Sequence, residues 1–69
     1  MKQIMTETMK IWLRELYLRE AEEHRVAASN FHLAALGSDA ENAKQLEEYA
    51  DENRAFTDIL EKMAKEINF

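Results

Sequence analysis

Glu20, Glu23 and His24 stand within five residues of one another, and carboxylates beside an imidazole are the side chains that bind divalent metals or move protons. At 100° per residue Glu20 falls at the centre of a helical face whose other members are Met9, Leu13, Leu16, Tyr17, Ala27, Ala28, Phe31, Ala34 and Ala35. Glu23 and His24 fall within that face and Trp12 at its edge. A second polar interruption, Asn53, sits inside the run Leu46, Tyr49, Phe56, Leu60, Met63 and Ile67, which with Asn53 alternates spacings of three and four residues. If the two stretches are antiparallel helices joined near Gly37, positions whose numbers sum to about 75 or 76 are neighbours. Asn53 then lies near Glu23, within a turn of His24 and Glu20, and the two polar breaks share one level.

That level admits two chemistries. Pairing of two copies would double it to four carboxylates and two histidines, the ingredients of a metal site in a bundle. Di-metal helical proteins, however, place the histidine three residues after a glutamate, and the residue three before His24 is Ala21. The reading we adopt is a buried polar layer of Glu20, Glu23, His24 and Asn53 that fixes register and partner number. A metal site on Glu20, Glu23 and His24 is the alternative. No motif points to a cofactor or to catalysis, and His32, far from the centre of the apolar face, reads as a surface residue.

The elements that would position these residues are two long helices. The 69 residues include no proline, one glycine and no cysteine, and Ala, Leu, Glu, Lys, Arg and Met are abundant. The first helix should begin between Lys2 and Thr8, with Thr6 or Thr8 as its cap, and nothing interrupts it from there to Leu36. Gly37 supplies a left-handed C-terminal residue, and Ser38 with Glu41 forms a capping box for the second helix. The expectation is an all-α antiparallel hairpin, about 4–36 and 39–67, forming a single domain over 1–69. Its core should be mostly Met9, Leu13, Leu16, Phe31, Leu46, Tyr49, Phe56, Leu60 and Met63.

The first helix carries a second apolar line. Ile4, Ile11 and Leu18 repeat every seven residues away from the core face, with Val26 and Leu33 flanking them, whereas the reverse of the second helix carries Glu47, Asp51, Arg54, Asp58, Lys62 and Lys65. A helix apolar on two sides has more than one neighbour, so the hairpin is expected to pair with itself into a four-helix bundle. Ile4, Ile11, Leu18 and Val26 are the first choice for the oligomer or partner contact. Trp12 with Met5, Met9 and Met63 is the second, since methionine repacks easily against a partner helix.

Composition narrows the function further. Fourteen acidic and nine basic residues give a net charge of −5, and after Gly37 nine acids face four bases. Such a balance disfavours phosphate backbones. The layout is similar to that of plasmid-encoded RNA-binding bundle proteins, a resemblance that implies the arrangement of helices and nothing about ligand. Lys10, Arg14, Arg19 and Arg25 are scattered around the first helix among acids, so no basic strip exists for RNA. The first residues lack the apolar run of a signal peptide, no stretch approaches the roughly 20 apolar residues of a membrane span, and absence of cysteine fits a reducing cytoplasm. The function expected from sequence is a small acidic cytoplasmic homodimer of coiled-coil character, an adaptor, regulator or inhibitor of the bacterial or phage accessory type, acting through a helical surface.

Overall fold

The computed structural model describes residues 4–68, which form two antiparallel α-helices, α1 (Glu7–Leu36) and α2 (Ala40–Lys65). Thr6 starts α1, its Oγ1 accepting the Met9 N–H at 3.1 Å. Ile4 and Met5 precede the helix rather than opening it, so the first helix begins three residues later than the expected position 4. Likewise α2 stops at Lys65, with Glu66 as its cap and Ile67 beyond.

The turn is built differently from the sequence expectation. Gly37 has φ −99°, not a left-handed value, and its N–H reaches the Ala34 carbonyl at 3.2 Å. Ser38 does not cap α2; its Oγ donates to the Ala34 carbonyl at 2.8 Å, while its N–H bonds the Ala35 carbonyl. Asp39 takes the capping role, accepting the Asn42 N–H at 2.9 Å, with the Asn42 amide returning to its other oxygen at 3.2 Å. The physical reason is charge: an aspartate carboxylate at the positive end of a helix is a stronger acceptor than a serine hydroxyl. A tightened last turn satisfies the α1 carbonyls without a left-handed residue.

The line of closest approach between the helices is made of small side chains. Ala21, Ala28 and Ala35 on α1 and Ala50, Thr57 and Ala64 on α2 are the buried residues, each set repeating every seven positions. Half-buried Ala43 continues the α2 series. With only methyl groups between them, the backbones come close enough for the Thr57 hydroxyl to lie 2.9 Å from the Asn53 carbonyl of its own helix and 3.3 Å from the Ala21 carbonyl of α1. This corrects the core expected from sequence. Leu13, Phe31, Leu46 and Leu60 are only half-buried, and Met9, Leu16, Tyr49, Phe56 and Met63 are exposed, Phe56 by 52%. The seam from Leu46 to Ile67 flanks the contact between the helices instead of filling it.

The result is a single layer, 53 × 19 × 15 Å. Its two broad faces differ. Measured around each helix from the alanine line, Leu13, Leu16, Glu20 and Phe31 of α1 and Tyr49, Phe56, Leu60 and Met63 of α2 project to one face. Arg25 and His32, with Glu47, Arg54, Asp58 and Glu61, project to the other. Among the described residues no helix is long and apolar enough to cross a membrane.

Candidate functional site: the polar level and the open apolar face

The polar level exists, one residue away from its expected partner. His24, not Glu23, meets Asn53: its Nδ1 is 2.7 Å from Asn53 Oδ1. The Asn53 amide nitrogen donates to the Tyr49 carbonyl at 2.8 Å, so its oxygen must be the atom facing the imidazole. His24 Nδ1 therefore carries the proton and donates it. The ring also stacks on Phe56, with centroids 5.1 Å apart, and one level nearer the turn Phe31 packs against Tyr49 at 5.4 Å. Cross-hairpin partners thus sum to more than the 75 or 76 expected from sequence, although the helix ends, Leu36 and Ala40, match that estimate.

The four residues of the expected layer do not all converge. Glu20 is half-buried on the same face, His24 and Asn53 are bonded and half-buried, and Glu23 is exposed. Among the described residues no three His, Asp or Glu side chains are grouped closely enough to hold a metal ion, so Glu20, Glu23 and His24 make no ready-formed trio within one hairpin. Every buried polar side-chain atom among the described residues has a hydrogen-bond partner.

The opposite face is held by charge pairs. Arg25 bonds Glu22 in its own helix and Glu61 across the hairpin, His32 Nδ1 lies 2.6 Å from Glu47 Oε1, and Arg54 bonds Asp51 at 2.6 Å. A groove of about 470 Å³ runs here between Arg25, His32, Arg54 and Asp58. Both arginines and the histidine on its rim are committed to carboxylates, which leaves it poorly suited to anions. His32 is at the surface, where its position in the sequence put it, but it bridges the two helices.

The contact residues expected on α1 are all accessible apart from Met5, which is half-buried. Ile4, Ile11, Leu18 and Val26 are exposed, Leu18 by 45%, and Trp12 is exposed by 71%. From the alanine line, Ile11 and Leu18 lean toward the charged face and Val26 points away from α2, while Trp12, the second choice, lines a groove with Glu15, Leu16 and Arg19. A further apolar surface is the one assigned above to the core, formed by Leu16, Phe31, Tyr49, Phe56, Leu60 and Met63. Its signal in the sequence was the alanine repeat: small residues at the seventh positions 21, 28 and 35 and again at 43, 50 and 64 take the contact line and displace the large residues beside it.

No protein-family model, curated protein or solved structure matches this chain.

Proposed function

We propose that this protein is a small non-catalytic interaction module, a helical hairpin that works as a homodimer and presents helical surface to another protein as an adaptor, regulator or inhibitor. One observation carries the reading: among the described residues no side chain larger than threonine is buried, while large apolar side chains lie exposed on one face and on part of the other. A buried methyl contributes about 0.8 kcal/mol, whereas a fully buried leucine or phenylalanine contributes about 1.5–3 kcal/mol. The sequence therefore holds most of its apolar stabilisation in reserve for a second layer, as two-layer domains require. Charge agrees with a protein partner, since the acidic excess on α2 and the paired arginines disfavour nucleic acid. The non-catalytic part rests on the grooves, which are open and shallow, and on a polar level whose imidazole and amide are already bonded to each other. Sedimentation equilibrium at low micromolar concentration tests the reading. A dimer is expected, and a folded monomer there would sink it.

A further inference from the structure

We infer that the second copy stacks on the face formed by Leu16, Phe31, Tyr49, Phe56, Leu60 and Met63, with the His24–Asn53 levels of the two copies meeting at mid-height. This rests on the homodimer proposed above and specifies which surface makes it. Area is the first support. The chain has a mass of 8.1 kDa and exposes 5592 Å², against roughly 4500 Å² for a compact monomer of that mass. The excess, on the order of 1000 Å², is what one partner buries in an ordinary stable interface of about 800 Å² per side. The radius of gyration agrees: 16.2 Å, where a compact chain of this length has about 11 Å.

Position is the second support, and it is independent of area. The middle of α1 falls between Ala21 and Glu22, and the middle of α2 between Glu52 and Asn53. The polar level thus sits at the centre of the hairpin's long axis, with apolar residues above it (Phe31, Tyr49) and below it (Leu16, Leu60, Met63). A two-fold axis lying in the interface can run along the bundle or across it. Along the bundle, equal heights always coincide; across it, they coincide only at the middle. With the two hairpins overlapping along their full length, the His24–Asn53 level meets its copy in either arrangement; Phe31, Tyr49, Leu60 and Met63 then face apolar residues, and half-buried Glu20, on the same face, stands beside the polar level. A sliding register would instead place His24 and Asn53 against a partner's phenylalanine or leucine.

Ile11 and Leu18 stay outside this interface, as does the face of paired charges.

The test uses the intact chain in sedimentation velocity, with circular dichroism to follow helicity. Phe56→Glu would bury two carboxylates in the proposed interface and should weaken dimerisation on the order of 100-fold or more. Leu18→Glu should leave the dimer intact. The opposite pattern, a dimer surviving Phe56→Glu and lost on Leu18→Glu, overturns the assignment of the face while leaving the homodimer standing; a monomeric wild type overturns both. Should Phe56→Glu fail to fold, single spin labels decide, and the absence of native cysteine makes them unambiguous. Labels at Glu23→Cys, on the rim of the proposed interface, should lie close together across the dimer. Those at Ser29→Cys should be separated by both hairpins, each 15 Å thick. Close Ser29 labels with distant Glu23 labels would refute the stacking.

Discussion

Ala50 and Asn53 are three residues apart on α2 and do opposite things. Ala50 is fully buried against α1 and sets how near the helices come. Enlarging it must push the backbones apart, so Ala50→Leu is expected to cost about 1–3 kcal/mol. The same change at exposed Ala55 should stay within about 0.5 kcal/mol. Urea titration of the two variants checks this, and equal midpoints would mean that alanine does not form the core. Asn53 accepts the proton-bearing nitrogen of His24 in a half-buried site. Asn53→Leu strands that donor and is expected to destabilise by about 1–3 kcal/mol, whereas adding His24→Leu removes the stranded group and should restore most of the loss. A double-mutant cycle reads the coupling; additive effects would show that the bond contributes nothing specific.

At the scale of the helices, the turn is where local chemistry can be separated from packing. The Asp39 side chain satisfies one of the free N–H groups at the start of α2, that of Asn42, and Asp39→Ala should cost about 1 kcal/mol in thermal or urea unfolding. Gly37 carries no such burden. Its φ is −99° and an added Cβ would meet nothing nearer than the Ala34 carbonyl oxygen at 3.9 Å, so Gly37→Ala should be neutral or raise stability by about 0.4–1 kcal/mol through the unfolded chain. A large loss at Gly37 would instead indicate the left-handed turn anticipated from sequence. The helices themselves contribute little alone, because most helical stability comes from packing of an apolar face. Here the face that packs inside the hairpin is alanine, and the surface ion pairs across it, such as Arg25 with Glu61, are each worth no more than about 1 kcal/mol.

For the whole molecule, the consequence is that folding and association should be one event. An alanine seam between two helices of 30 and 26 residues buries no side chain larger than threonine among the described residues, and the proposed second copy would bury the large ones. Stability should then depend on protein concentration: tenfold dilution should lower the free energy of folding by about 1.4 kcal/mol per mole of dimer and move the melting midpoint down by a few degrees. Melting curves at two concentrations measure it. Midpoints that coincide would show that the hairpin is stable by itself and that its open face has another use.

Much of this was legible from the residues alone. Two helices, their antiparallel sense, the position of the break and the coincidence of two polar interruptions all follow from periodicity, from one glycine and no proline, and from counting outward from Gly37, because those properties are local or nearly so. What tertiary structure decided is which of two parallel seven-residue repeats lies between the helices. Leu46 to Ile67 and Ala43 to Ala64 run side by side on α2, and hydrophobicity by itself favours the first. Close packing of the two helices selects the second, because alanines permit a short interaxial distance that leucine and phenylalanine forbid. Once the alanines occupy the contact line, Phe31, Tyr49 and Phe56 are displaced to a broad face. The pairing of Asn53 with His24 in place of Glu23 has the same origin, since the level at which two side chains meet depends on how the closely packed helices are set along one another, which counting from the helix ends does not fix.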